Sequence, residues 1–263
     1  MIAVRTPPEI DRIRASCQIV YLVQQVLGRV IEPGISTLEL DRLAEKTIRE
    51  QGAVPAFKGY GGFPASICAS INAEAVHGFP REAPLQDGDV LSIDVGVELD
   101  GYFGDGAFTL AIGTITDQAR HLLDTTRAAL ADAIQATRAG GRLSDISHAI
   151  ESRARAGRLS VIREYGGHGI GRSLHEEPHI PNYGEPGRGP ILKAGYIFAV
   201  EPILSLGGPE VEVEDDGWTT LTVDRTPAAH FEHTIAITDE GADILTLPSD
   251  RQAAPQAWPD GST

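Results

Sequence analysis

The stretch Val90-Leu-Ser-Ile-Asp94-Val-Gly-Val-Glu-Leu-Asp100-Gly101-Tyr-Phe-Gly-Asp105-Gly-Ala-Phe-Thr109 decides how this chain folds around its chemistry. Asp100-Gly101 is a strong two-residue hairpin signal, because such turns need positive φ at both central positions. In that hairpin, opposed residues carry numbers that sum to 201. Asp94 then faces Ala107, and Asp105 lies two residues along on the same face of the ribbon. The carboxylates become diagonal neighbours with Cβ atoms roughly 7–8 Å apart or less, and two ions about 3.5–4 Å apart could sit between their tips. A lone strand aspartate is ordinarily solvated. Two on one face repel, and a cation relieves that repulsion. The count requires a ribbon without a β-bulge.

Three further segments carry acid or imidazole groups in conspicuous settings. Gly166-Gly-His168-Gly-Ile-Gly171 places an imidazole where the backbone bends freely and other segments can come close. Tyr196-Ile-Phe-Ala-Val200 reads as a short buried strand that delivers Glu201 at its end, where Pro202 breaks regular pairing. Near the end, His230, Glu232 and Thr234 alternate with Phe231, His233 and Ile235, so Glu232 faces away from an apolar layer. Asp94, Asp105, His168, Glu201 and Glu232 together form a mostly oxygen donor set, suited to two hard or borderline divalent ions if they converge. His77, in Ala-Val-His77-Gly-Phe-Pro, sits on a glycine-proline turn.

Other motif matches fail on chemistry. His175-Glu-Glu-Pro178-His179 fits the letters of H-E-x-x-H, but that zinc motif needs both histidines on one helical face. Pro178 removes a backbone donor and biases Glu177 away from helix. His175 is better placed in an extended segment, reaching toward the site. The glycines around His168 form neither a dinucleotide fingerprint, since Arg172 stands where the third glycine belongs, nor a phosphate loop.

The rest reads as two similar halves. Thr6-Pro-Pro-Glu9 is a capping box that opens a long helix through Ile13, Cys17, Val20 and Leu27, ended by Pro33-Gly34; Ser36-Thr-Leu-Glu39 opens a shorter one ending near Gly52. About a hundred residues later, Thr116 caps a long helix to Gly140-Gly141 and Ser144 caps a shorter one ending near Gly157. Strand-like segments follow in both cases, giving an α/β (α+β) chain with pseudo-repeats at about 6–110 and 116–247. A single catalytic domain over 1–248 is expected, with its site between the halves. Residues 249–263 lack apolar periodicity and read as a loose tail.

Composition limits the alternatives. The chain has 263 residues, 41% hydrophobic, with 29 Gly and 17 Pro, which is globular and rich in turns. A net charge of −15 argues against duplex nucleic acid as a direct partner. No 18-residue apolar run suggests a membrane span. Cys17 and Cys68 form no disulfide framework, which suits a reducing cytoplasm.

Taken together, these segments resemble the type I methionine aminopeptidases from about residue 4 to residue 247. The matches include Ser70-Ile-Asn72, His77-Gly78, His168-Gly-Ile-Gly171, His175-Glu-Glu-Pro178, Asp216-Gly-Trp218 and Phe231-Glu-His-Thr234. The resemblance implies the pita-bread fold, with pseudo-twofold halves and a curved antiparallel sheet covered by helices. It implies two divalent ions, Co, Mn, Fe or Zn. Asp94 would chelate one ion, Asp105 and Glu232 would bridge both, and His168 and Glu201 would complete the other. Water activated between the ions would attack the first peptide carbonyl. His77 and His175 would contact substrate and steady the tetrahedral intermediate, and Glu201 would carry a proton to the leaving amine. Tyr60, Phe63, Cys68, Leu174 and Trp218 would line the methionine pocket.

The implied reaction is removal of N-terminal methionine before a small second residue. Its partners would be peptide or nascent-chain N-termini, with transient contact at the ribosome, and the protein a monomer. Gly61, Gly106 and Val76, and Ala73-Glu-Ala75, depart from commoner residues of the family and bear on the pocket rim and substrate preference. Two alternatives stand beside this reading. One is a Xaa-Pro dipeptidase or aminopeptidase of the same fold, which usually carries an added N-terminal domain. The other is a pita-bread protein that binds without catalysis, against which the five intact ligand positions count.

Overall fold

The computed structural model describes residues 1–248; the expected loose tail, 249–263, lies outside the described residues. Four helices carry the expected capping logic, with three local differences. The backbone N–H of Thr6 donates to the Glu9 carboxylate at 3.0 Å and opens α1, Pro7–Gly28. The N–H of Glu39 donates to the Ser36 hydroxyl at 3.2 Å and opens α2, Thr37–Glu50. The N–H of Ala119 donates to the Thr116 hydroxyl at 3.1 Å and opens α3, Asp117–Ala136.

α4, Leu143–Ala156, starts earlier than the Ser144 cap expected from sequence. Arg142 is the capping position, its N–H donating to Asp145 at 2.8 Å. The Ser144 hydroxyl instead accepts from the Arg188 N–H at 2.7 Å, tying the helix start to a distant loop. α1 also ends before Pro33-Gly34. The Leu27 carbonyl accepts from Val30 and Ile31 in a closing turn, just past Gly28, the poorest helix former in the run after its two opening prolines. α3 stops at Ala136 because Thr137 is already extended, its hydroxyl donating back to the Ala133 carbonyl at 2.8 Å.

The hairpin has the register read from its turn. Val90–Leu99 and Tyr102–Ala111 pair antiparallel without a bulge, with Asp94 opposite Ala107 and Asp105 opposite Gly96. Asp100 and Gly101 adopt φ of 52° and 75°, the left-handed pair that a tight hairpin needs. Cys68–Ile71 joins the other edge of the first strand, with Cys68 opposite Asp94. A second antiparallel sheet belongs to the other half, in the order Ala242–Ile244, His233–Ile237, Ile197–Val200, Gly166–Gly169, Glu176–Pro181.

Each half is thus a long helix, a short helix and antiparallel strands. One buried cluster takes Val20, Val23 and Leu27 from α1, Leu122 and Leu130 from α3, and Phe108 and Phe198 from the two sheets. The helices therefore pack on the sheets, burying the apolar stripes their spacing set. The longest helices match no membrane span; among the described residues none is long and apolar enough to cross a bilayer.

The halves are joined along a seam of polar backbone contacts. The Thr234 hydroxyl donates to the Asp105 carbonyl at 2.8 Å and accepts from the Asp105 N–H at 3.1 Å. Thr109 does the same for His230, at 2.7 and 2.9 Å. Between them, the Glu232 N–H donates to the Ala107 carbonyl at 2.9 Å. These bonds replace a regular ladder and fix where the hairpin meets the strand that carries Glu232.

The hairpin also presses closely on α1. A Cβ on Gly104 would lie 2.7 Å from the backbone nitrogen of Cys17 and 2.8 Å from its Sγ. Backbone cannot yield as a flexible side chain does, so Gly104→Ala should destabilise by about 1–3 kcal/mol, an overpacking cost. A urea denaturation series would show a lowered midpoint with an unchanged slope; an unchanged midpoint would refute the close-approach argument.

Candidate metal centre

The five sequence-derived ligand positions reach one cavity from both halves. Asp94 and Asp105 come from the hairpin, His168 from the strand Gly166–Gly169, Glu201 from the residue after Ile197–Val200, and Glu232 from the break between Ala228–His230 and His233–Ile237. His77, His175, Tyr60, Phe63, Cys68, Leu174 and Trp218 line the same cavity. Asp105, His168 and Glu232 form the tightest group, each offering a donor atom within 4.8 Å of the others. Glu201 Oε1 lies 3.6 Å from His168 Nε2. Asp94 and Asp105 project from the same face of the hairpin into this cavity.

Local structure explains each delivery. His168 stands opposite Ala199, so adjacent strands bring the imidazole and, two residues further, Glu201 to one end of the sheet. Pro202 ends the ladder at Glu201, as its missing N–H requires. The Glu176–Pro181 segment is a strand, so His175 and His179 do not share a helical face. The zinc-helix reading is excluded on geometry.

His168 is held in one tautomer. Its Nδ1 faces the Gly169 carbonyl at 3.0 Å. A carbonyl only accepts, so Nδ1 carries the proton and Nε2 turns a lone pair toward Asp105 and Glu201. Burial, with His175 beside it, pushes its pKa down to about 3, so the ring stays neutral. Its ring centroid is 4.3 Å from that of His175. His175 Nδ1 and the Tyr60 hydroxyl are 2.8 Å apart, which bridges the rim across the mouth of the cavity. Burial also lowers His77, to about 4, where it packs edge-on against Tyr165 and Trp218.

The carboxylates behave oppositely. Burial, moderated by His230 and reinforced by Glu201, pushes Asp94 up to about 6. Asp105, Glu201 and Glu232 are raised well above ordinary values, first by burial; for Asp105 and Glu232 neighbouring carboxylates add to this. No Lys or Arg lines the cavity among the described residues. Asp94 Oδ1, Glu232 Oε1 and His230 Nε2 are buried without hydrogen-bond partners. Crowded carboxyls, a neutral imidazole with its lone pair aimed inward and the two unpaired carboxylate oxygens fit divalent cations well.

Beside this polar floor lies an apolar, aromatic wall. Phe63 packs edge-on to both Phe79 and Trp218, each at 5.2 Å between centroids. Phe63, Cys68 and Leu174 are buried there, whereas Tyr60 is half exposed. Gly61 sits against the Trp218 ring, 3.2 Å from where its Cβ would be, so the departure noted at this position places an aromatic face over the rim. His230 is the cavity residue that ligand reasoning missed. Its signal was present, because it is in step with Glu232 and so shares its face.

The fold, the donor set and the apolar wall define a metal-dependent peptidase, and comparison with known proteins agrees. The model of metallopeptidase family M24 matches residues 11–239, and the chain belongs to that family. It falls there among the methionine aminopeptidases. Methionine aminopeptidase 1 of Bacillus subtilis is 50% identical over 246 residues, covering 94% of this chain and 99% of its own. Methionine aminopeptidase 1 of Mycobacterium tuberculosis is 47% identical, covering 92% and 94%. The crystal structure of methionine aminopeptidase from Rickettsia prowazekii superposes with a TM-score of 0.92 at 39% identity, covering 94% and 100%. Prolidase from Pyrococcus furiosus, at 22% identity and a TM-score of 0.75, shares the fold alone. The Xaa-Pro and non-catalytic readings are therefore not favoured.

The raised carboxyls set a pH dependence with a definite sign. A carboxyl raised in the folded state keeps a proton that the unfolded chain has released, so metal-free stability is lost as pH rises from 3.8 through about 6 for Asp94, and the other raised carboxyls act with the same sign. Buried neutral histidines act with the opposite sign, but in the metal-free and metal-loaded protein alike. Cations displace those carboxyl protons. The gap in Tm between Mn2+-saturated and chelator-treated protein should therefore widen between about pH 5 and pH 8. A gap that stays constant or narrows would contradict the assignment.

Proposed function

We propose that the protein removes N-terminal methionine from peptides and nascent chains with small second residues, using two divalent ions held by Asp94, Asp105, His168, Glu201 and Glu232. Residues 1–248 act as one catalytic unit in the cytoplasm, as a monomer that meets its substrates at their N-termini, in part on the ribosome. The observation that carries this reading is the juxtaposition of four carboxyls, two of them buried, and one neutral imidazole with an aromatic pocket. Asp105 and Glu232, one from each half, would hold both ions. Asp94 would complete one ion, and His168 with Glu201 the other. Co, Mn, Fe and Zn all suit such a set, and availability selects among them.

When bound, the ions would lower the pKa of a water and polarise the scissile carbonyl. The chain's own groups do the rest. Phe63, Cys68, Leu174 and Trp218 surround a linear apolar side chain, with soft contacts suited to a thioether. Tyr60 closes the rim through His175. With the Tyr60 hydroxyl donating to Nδ1, His175 presents its Nε2–H to the carbonyl oxygen, and His77 supports the same charge from beside Tyr165 and Trp218. Glu201 accepts the proton of the attacking water and passes it to the leaving amine.

Metal-reconstituted protein should cleave Met-Ala-Ser, cleave Met-Lys-Ser poorly, spare Ala-Pro-Ala, and lose activity with a chelator. Cleavage of Ala-Pro-Ala alone would overturn the methionine reading. Asp105→Asn should lower turnover by at least about a hundredfold, comparable to loss of a major electrostatic group, while circular dichroism stays native. Full activity in that variant would remove Asp105 from the bridge.

A further inference from the structure

His230 lines the cavity beside the proposed ligands and has no part in the ligand set. Its backbone is clamped by Thr109 on both N–H and carbonyl, and it pairs with Ile203 in the strand register. The side chain is therefore fixed from behind. It is 3% exposed, and its Nε2 is buried without a hydrogen-bond partner. The facing atoms are carboxylate oxygens: Glu201 Oε2 at 3.5 Å and Glu232 Oε2 at 3.9 Å. A buried nitrogen that meets only acceptors is best satisfied as a donor.

The two oxygens of Glu201 have different neighbours. Oε1 lies beside His168 Nε2 at 3.6 Å, and Oε2 faces His230. Glu201 extends from a strand end just before Pro202, and among the described residues no other side-chain donor meets its carboxylate, so its rotation is otherwise open. Closing the 3.5 Å gap to the usual 2.7–3.2 Å of an N–H···O bond takes a shift of only a few tenths of an ångström. Ligating carboxylates commonly need such an outer partner.

We propose that His230 is a positioning residue for Glu201: its Nε2–H donates to Oε2 and turns Oε1 toward the ion site beside His168. This rests on the reading of Glu201 as a metal ligand. His230 would then act through Glu201 and touch neither substrate nor ion.

The experiment uses the full chain. His230→Leu keeps similar bulk without a donor, and His230→Gln restores an amide donor. With Mn2+ titrated calorimetrically into metal-free protein, His230→Leu should bind about 10–100-fold more weakly, the usual effect of losing an outer-shell partner. His230→Gln should recover most of the affinity, and kcat on Met-Ala-Ser should follow the same order. Wild-type affinity in His230→Leu, or equal loss in both variants, would overturn the proposal. Nitrogen-15 NMR of histidine-labelled, Zn2+-loaded wild type tests it without any substitution. His230 Nε2 should carry a slowly exchanging proton; an unprotonated Nε2 would remove the donor, a metal-shifted one would make His230 a ligand, and either refutes positioning. Glu201→Ala runs alongside. If that variant keeps wild-type Mn2+ affinity, the ligand reading fails and takes this inference with it, whereas a weakened Glu201→Ala beside an unaffected His230→Leu sinks the inference alone.

Discussion

Four carboxyl groups share one buried cavity that no Lys or Arg side chain lines among the described residues. That crowding is the constraint around which the fold is arranged. Left to themselves, the carboxyls take up protons, because burial and mutual repulsion both oppose charge. The surrounding imidazoles do not relieve it, since burial keeps His77 and His168 neutral. Cations relieve it directly. The same groups that make the metal-free site costly are those that make a metal site useful in peptide hydrolysis.

Holding such a site requires that the halves meet in one register. The seam does this with few atoms. Thr234 and Thr109 each give and accept a bond at a single backbone residue across the seam, and the Glu232 N–H binds the Ala107 carbonyl. The residues so clamped are Asp105, His230 and the partner of Asp94 in the hairpin. Polar backbone groups that would be orphaned where two sheets approach are satisfied in the act of aligning the carboxylates. Stability and site geometry therefore come from the same contacts, and the rim bond between Tyr60 and His175 adds a closure outside them.

Much of this was legible in the chain. The Asp100-Gly101 turn fixed every pair of the hairpin, because a two-residue turn leaves no freedom of register. Pro178 sufficed to set aside the zinc helix, and the segment is a strand. The long-short helix repeat was visible in capping boxes and apolar spacing. The failures were of two kinds. Helix limits differed at one start, where Arg188 took the Ser144 hydroxyl, and at two ends, where the chain turned out locally after Gly28 and at Thr137. His230 was passed over because an imidazole two residues from a carboxylate looks ordinary until the facing oxygens of Glu201 are in view.

Local chemistry was thus settled by the amino-acid order: which segments form helices, how the hairpin pairs, and that Asp94 and Asp105 share a face. Resemblance carried the rest of the ligand set in advance of any geometry. Only the tertiary structure decided that His168 and Glu201 end adjacent strands side by side, that Glu232 crosses to the hairpin, and that Gly61 gives way to Trp218 at the rim. The physical reason is range. Turns, caps and strand alternation are fixed by neighbours a few residues apart, whereas the convergence of charges from positions 94 to 232 depends on the packing of two halves and the bonds along their seam.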